Sequence, residues 1–240
     1  MRSKFLRSTS LLLFFLGVVT AMLLFGSLTW ASLEAAFYFG YGIQGVNNLD
    51  LDCPRLLTAA DSASVTAMVR NTTDRDVEPR LEANISSNLL RSEEVQIQLP
   101  ARQSAPVTWQ VGATDVVFDH LIIVRIYQFQ AFVLPSADAN CGILFLDTPA
   151  LSGAQVLAIT ISVSLFGTLA GLALWAAANQ PLTGRPLDLL RGMLFLGGLC
   201  ASGLALSWIG LWVAGVLLFA LAAFMLVILL TRYVLAPETV

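Results

Sequence analysis

Four stretches of this 240-residue chain contain no Asp, Glu, Lys, Arg or His, and they restrict its fold more than any other feature. They span residues 8–33, 148–184, 192–231 and 233–237. A helix that crosses a bilayer needs about 20 predominantly apolar residues. The 40 residues of 192–231 suffice for two crossings joined by a turn near Gly210. The alternative, one long helix, would overrun the bilayer by about 30 Å, so the charge-free stretches predict four spans.

The predicted organisation places one polar block between the first and second spans. In chain order we expect a cytoplasmic N-terminus (1–10), a first transmembrane helix (11–30), an interfacial linker (31–50), an exported domain (51–147), a second transmembrane helix (152–178), a cytoplasmic loop (179–191), third and fourth transmembrane helices (192–209 and 211–231) and a cytoplasmic tail (232–240). A cleaved signal peptide is the alternative for the first span. Its apolar core of about 18 residues exceeds the usual signal-peptide core of about 7–15, which favours a retained helix.

Basic residues in the short flanks predict the orientation. The three segments that flank the spans (1–10, 179–191 and 232–240) carry six basic residues and two acidic ones. Block 31–150 carries seven Arg and fourteen acidic residues. Their net charges are +4 and −7. Lys and Arg in short loops remain cytoplasmic. We therefore expect a multi-pass protein of the cell inner or plasma membrane, with both termini cytoplasmic and residues 31–150 extracytoplasmic.

Two further groups of residues fit this arrangement. Aromatic side chains favour the headgroup level, and the expected interface anchors are Trp30, Tyr38, Tyr41, Trp208 and Trp212. Small residues let membrane helices approach closely, and the expected helix-packing residues are Gly167, Gly171, Gly198 and Ser202. A packing seam within the bundle is the favoured interpretation, and a dimer interface is the alternative.

The polar block predicts short strands, because apolar and polar residues alternate with a period of two. The alternation runs through 64–70, 77–85, 95–99 and 107–111, and the near-continuous apolar run 121–134 predicts a long central strand. Six or seven short strands in about 95 residues favour two packed antiparallel sheets. The predicted fold class is four transmembrane α-helices with an extracytoplasmic all-β sandwich inserted between helices 1 and 2.

Three segments of the block carry a family resemblance: 65–73 (VTAMVRNTT), 95–101 (VQIQLPA) and 107–111 (VTWQV). The first segment is a strand that ends in Asn and a small polar turn, and the other two form a later pair with the pattern Leu-Pro-Ala … Val-Thr-Trp. This arrangement resembles bacterial immunoglobulin-like surface domains, in which such a pair forms an edge hairpin. The resemblance covers about 95 of the 240 residues. It implies an immunoglobulin-like sandwich over 51–147 and no particular activity, since such sandwiches host unrelated functions.

The cysteines suggest a covalent link across the block. Cys53 opens it and Cys141 lies near its end, whereas Cys200 lies in the third span. Exported thiols meet an oxidising compartment, so we expect a Cys53–Cys141 disulfide. In the chain-entropy model, a closed loop of about 90 residues stabilises by about 4–5 kcal/mol. Two unpaired cysteines are the alternative.

The chain offers little material for catalysis or cofactor binding. His120 is the only histidine, and with Asp115 or Asp119 it forms one candidate acid–base pair. Histidine and cysteine are too few for a zinc or haem site, and neither a phosphate-binding loop nor a nucleophile motif occurs. We therefore expect no enzyme activity, no catalytic or metal-ligating residue, no cofactor and no nucleic-acid partner.

The expected function is that of a non-catalytic integral membrane protein, an accessory or structural subunit that presents its exported domain for protein–protein interaction. Its partners would be the lipid bilayer and one or more proteins, in a membrane complex or at the cell surface. One alternative is a transporter or channel component, although ion pathways usually carry charged groups inside the membrane. The other is an extracytoplasmic enzyme that uses His120.

Overall fold

A computed structural model of the chain describes residues 2–39, 47–86, 91–131 and 133–231. The chain divides into two compact units. Met1–Thr29 together with Leu157–Val240 form the first, which we call the helical unit. Trp30–Val156 form the second, which we call the sheet unit.

Four helices in the described part of the chain are long and apolar enough to cross a membrane. They are α1 (Arg2–Tyr38), α2 (Gly153–Ala178), α3 (Arg185–Trp208) and α4 (Trp212–Leu229). Helix α1 continues past residue 30, because the segment from Ala31 to Ala36 consists largely of good helix formers. The first part of the predicted linker 31–50 is therefore helical, and α3 begins within the predicted cytoplasmic loop 179–191.

Aromatic and long aliphatic side chains form the core of the helical unit. Phe14 and Phe25 of α1 are fully buried, as are Met193 and Leu196 of α3. The ring of Phe25 meets that of Phe219 on α4 edge to face, with 5.6 Å between centroids. Such edge-to-face pairs are favourable beyond the area that they bury, so this pair stabilises the contact between α1 and α4.

The sheet unit has two sheets. The strands, within the described residues, are β1 (Asn47–Asn48), β2 (Asp50–Asp52), β3 (Leu56–Thr58), β4 (Ser62–Arg70), β5 (Arg80–Ile85), β6 (Arg91–Gln96), β7 (Ser104–Gly112), β8 (Leu121–Gln128) and β9 (Ala137–Leu146). The six-stranded sheet has the order β1-β9-β8-β5-β6, and β3 also pairs with β9. The three-stranded sheet has the order β2-β4-β7.

Both sheets contribute to one hydrophobic core. Val65 on β4 and Trp109 on β7 belong to the same buried cluster as Ile122 and Ile126 on β8. The alternating burial along β4 and β7 follows the two-residue period of a strand with one covered face. Any sheet that is packed on one side shows this alternating burial, so the alternation identifies neither the strand direction nor the fold family.

The predicted fold class is wrong for the sheet unit. Its larger sheet is mixed, since β1 and β3 both pair parallel with β9, whereas β5, β6 and β8 pair antiparallel. An all-β immunoglobulin-like sandwich of antiparallel sheets between helices 1 and 2 therefore does not describe this molecule. Side chains alternate identically in parallel and antiparallel strands, so the sequence pattern did not reveal the direction in which the entry strands run.

Candidate functional site

The two ends of the sheet unit differ in the residues that they present. Strand β9 runs from Ala137 to Leu146, and the chain then enters α2 at Gly153. We call the Leu146 end the α2 end and the opposite end the far end. The candidate residues for chemistry lie at the α2 end, and a pocket lies at the far end.

Of the two candidate carboxylates, Asp115 has partners other than His120. Asp115 is buried in a short 3-10 turn, where its carboxylate accepts a hydrogen bond from the Gly112 N–H at 3.0 Å. Arg91 forms an ion pair with the same carboxylate at 3.1 Å. His120 and Asp119 are exposed in the turn before β8. The charge of Asp115 is thus balanced by Arg91, which argues against a role as the partner of His120.

Two other carboxylates in the sheet unit form ion pairs. Arg125 pairs with Asp138 at 3.4 Å, and Arg102 pairs with Asp74 at 2.7 Å. Among residues 2–39, 47–86, 91–131 and 133–231, no group of three or more His, Cys, Asp or Glu is placed to hold a metal ion. The exposed Arg102–Asp74 pair contributes little to stability, because solvent screens it.

A pocket of about 390 Å³ opens at the far end between the two sheets, and we call it the far-end pocket. It is lined by Leu49, Asp50, Met68, Arg70, Thr72, Gln128, Leu134, Pro135 and Ala137. Ligand sites commonly combine an apolar lining with a few polar groups. This pocket has a mixed lining, in which Leu49 and Leu134 are buried and Asp50, Arg70 and Thr72 are exposed.

Asn71 fixes the backbone beside the pocket rim. Its side chain is buried, and its amide Nδ2 donates to the carbonyl oxygens of Leu99 at 3.1 Å and Pro100 at 3.0 Å. Its Oδ1 accepts from the Thr73 N–H at 2.9 Å, which closes a local turn. The Asn-containing turn that the sequence singled out therefore joins two far-end loops, and Thr72 is held between these anchored residues.

Asp61 joins the sheets to the start of α2. Its carboxylate Oδ2 accepts hydrogen bonds from the Gly153 N–H at 2.6 Å and from the Thr58 N–H at 3.0 Å. An acidic group stabilises the positive end of a helix dipole. These hydrogen bonds, chiefly that from Gly153, lower the pKa of Asp61 below its ordinary value.

The first turn of α2 has a second cap. The Ser152 N–H donates to Gln155 Oε1 at 2.9 Å, and the Gln155 N–H donates to Ser152 Oγ at 3.3 Å. This reciprocal pair is a capping box. Together with Asp61 it satisfies N–H groups that a helix start otherwise leaves without partners.

The predicted disulfide between Cys53 and Cys141 is confirmed. Cys53 follows β2, and Cys141 lies in the middle of β9, so the bond links the entering chain to the strand that leads to α2. Cys200 is a free, buried thiol in α3.

The predicted helix-packing residues separate into two groups. Any side chain at Gly171 would meet Phe14 on α1, with Cβ–Cβ at 2.6 Å, and one at Gly167 would meet the Leu13 carbonyl oxygen at 2.9 Å. Gly198, in contrast, has no atom within 4 Å of the place where a Cβ would stand, and Ser202 is exposed. Gly167 and Gly171 thus contact α1, whereas Gly198 and Ser202 lie on a face of α3 that the described residues leave uncovered.

The predicted interface anchors are largely exposed. Trp30, Tyr38 and Trp208 are each about half exposed, and Trp212 is partly buried. Tyr41 lies outside the described residues. Exposure of this kind is what an aromatic side chain at a lipid headgroup layer would have in the absence of lipid.

Sequence reasoning missed two structural residues. Asp61 makes its contact with Gly153 across 92 positions in the chain, and nothing local marks it as a cap. Gly17 lies where α1 meets α2, and a side chain there would overlap the backbone of Thr168. A signal for Gly17 was present, since small residues favour close helix contact, but the helix that it contacts could not be chosen from the sequence.

Comparison with known proteins identifies no relative that would assign a role to these residues. No protein-family model matches the chain, and the comparison with curated proteins gives no match.

Proposed function

We propose that this chain is a multi-pass membrane protein that presents its sheet unit outside the cytoplasm, as a non-catalytic accessory or structural subunit of a larger membrane complex. The observation that carries the proposal is the far-end pocket, which combines apolar residues with Asp50, Arg70 and Thr72 at its rim. A protein segment with an apolar side chain and flanking polar groups fits such a pocket.

The surface of the helical unit supports the membrane placement. Leu165, Phe166 and Leu169 on α2 are each more than half exposed, as are Leu217 and Phe224 on α4. Monomeric soluble proteins rarely expose contiguous apolar surface of this extent. A bilayer would cover this apolar surface and remove it from contact with water.

The charge distribution supports the orientation. The +4 of the flanks and the −7 of block 31–150 favour cytoplasmic termini, because basic residues in short loops remain inside. A reporter that is active only in the cytoplasm, fused after Val240, should be active, whereas the same reporter inserted in block 31–150 should be silent. The reverse pattern would contradict the orientation without affecting the subunit proposal.

Photo-crosslinking tests the subunit proposal. A benzophenone amino acid replaces Thr72 at the pocket rim, and in a matched variant it replaces Thr108, which is exposed in the middle of β7. We expect a defined protein adduct from Thr72 in intact cells and none from Thr108. Arg70→Glu in the Thr72 variant should weaken the adduct, since it reverses one rim charge. Absence of any adduct at Thr72, with the protein migrating alone in mild detergent, would remove the proposal.

A further inference from the structure

An exposed phenylalanine stands on a tight turn at the α2 end of the sheet unit. The turn is closed by the Val117 N–H, which donates to the Leu121 carbonyl oxygen at 2.7 Å, and by the Leu121 N–H, which donates back at 3.1 Å. Phe118 lies at its tip and is 56% exposed. The Phe145 N–H of β9 donates to the His120 carbonyl oxygen at 2.8 Å, so the turn is fixed to the sheet.

The backbone of this turn is strained. Phe118 and Asp119 have φ values of 54° and 63°, in the left-handed region. A bulky residue in that region is a genuine outlier, since glycine or asparagine adopts it far more easily. Such strain is frequent at functional positions, although Ser86 and Arg102 have similar φ values of 61° and 60°. The strained conformation directs a large apolar side chain away from the sheet's own core.

The turn lies at the end of the sheet from which the chain enters α2. Leu121, the residue after the turn, pairs with Leu144 near the end of β9. Gly153, the first residue of α2, is hydrogen-bonded to Asp61 in the turn between β3 and β4 of the same unit. Leu151, which precedes α2, is 38% exposed. Two apolar side chains, Phe118 and Leu151, are therefore exposed at this end.

We infer that Phe118 inserts into the headgroup layer of the bilayer and forms a second, peripheral contact of the sheet unit with the lipid surface. Aromatic side chains favour this layer, and amphipathic insertion depends on buried apolar area. The block carries a net charge of −7, so a zwitterionic lipid surface suits it better than an anionic one. The inference rests on the proposed membrane placement of α2.

Spin-label accessibility tests the inference on the full chain. The protein carries Cys200→Ala, retains the Cys53–Cys141 disulfide and is reconstituted in phosphatidylcholine vesicles. Nitroxide labels are placed through Phe118→Cys, through Val133→Cys and through Phe166→Cys. Val133 is 50% exposed beyond the far end of β8, and Phe166 is 72% exposed on α2. Collision with O2, which partitions into lipid, is compared with collision with a water-soluble nickel chelate.

We expect a higher ratio of O2 to nickel accessibility at position 118 than at position 133. The ratio at position 118 should lie closer to the ratio at position 166. Equal ratios at 118 and 133, with 166 in lipid, would overturn the inference alone. An aqueous label at 166 would overturn both the membrane placement of α2 and the inference. If Phe118→Cys fails to fold, Phe118→Trp and Val133→Trp are compared by quenching with brominated phosphatidylcholine. Greater quenching of the first supports the insertion, and equal quenching refutes it.

Discussion

At the scale of single residues, a few hydrogen-bonding side chains determine how loops and helix ends attach to the sheets. Asp61 and Asn71 act at opposite ends of the sheet unit, and each accepts from or donates to several backbone groups. Their removal should therefore affect more than one segment of the chain.

Asp61→Ala should lower the free energy of unfolding by about 1–2 kcal/mol, because it removes the acceptor of the Gly153 and Thr58 amides. Denaturant unfolding of the purified protein in detergent measures the loss. The matched control is Asp74→Ala, which removes an exposed carboxylate paired with Arg102. That variant should change stability by less than about 0.5 kcal/mol. Equal losses would show that Asp61 has no capping role.

The Asp61 contribution should also depend on pH. Its folded pKa is lowered, chiefly by the Gly153 N–H, from an ordinary value of 3.8. A group with a lowered folded pKa adds stability above its unfolded pKa and loses it as the pH falls through its folded pKa. The stability difference between the wild type and Asp61→Asn should therefore be constant above pH 3.8 and shrink below it. A difference independent of pH would contradict the assignment.

Asn71→Ala should destabilise the far-end loops by about 1–3 kcal/mol, since buried carbonyl groups would lose their donor. Thermal unfolding measures the loss, and the Thr72 photo-crosslink should weaken in parallel because the rim backbone is no longer held. The exposed neighbour Arg75 supplies the control through Arg75→Ala, whose side chain lies at the surface. An unchanged crosslink in Asn71→Ala would mean that the rim does not depend on Asn71.

At the scale of elements, close helix contact depends on which glycines face a neighbour. Gly17 on α1 abuts Thr168, whereas Gly198 on α3 faces open space in the described part of the chain. Two residues of the same type, both in apolar helices, are thus placed in opposite environments.

Gly17→Leu should lower the melting temperature of the protein in detergent, because overpacking a helix contact costs about 1–3 kcal/mol. Gly198→Leu is the matched variant and should leave that temperature nearly unchanged. If the uncovered face of α3 meets a subunit of the proposed complex, Gly198→Leu should reduce co-purification while stability is preserved. Destabilisation by Gly198→Leu of the isolated protein would contradict the open environment of that position.

At the scale of the whole molecule, the disulfide is a covalent constraint on the sheet unit. It joins positions 88 residues apart. Replacing Cys53 and Cys141 with serine should lower the unfolding free energy by about 4–5 kcal/mol in the chain-entropy model. Unfolding of the double variant, compared with Cys200→Ser as the control outside the sheet unit, measures it. A loss no larger than the control's would show that the bond does not stabilise the native state.

The sequence was informative where a property is local and uninformative where it depends on distant residues. Charge-free length identified four apolar helices, and the expectation that the block is exported identified the cysteine pair. The apolar run 121–134 shows no turn residue, yet β8 ends at Gln128, and Ala131 and Leu134 exchange backbone hydrogen bonds at 3.0 and 2.8 Å. Side-chain alternation does not encode the direction of β1 and β3, and the cap on α2 comes from a residue far away in the chain.

The position of the disulfide also decides what a protease can release. Every turn between β3 and β9 lies inside the covalent loop that Cys53 and Cys141 close. A single cut in any of these turns, including the exposed one at Phe118, would leave the two fragments joined through sulfur. A nicked molecule would run as an intact chain on a non-reducing gel and separate into two pieces only after reduction. Shedding of the sheet unit would instead require cuts on both sides of the loop.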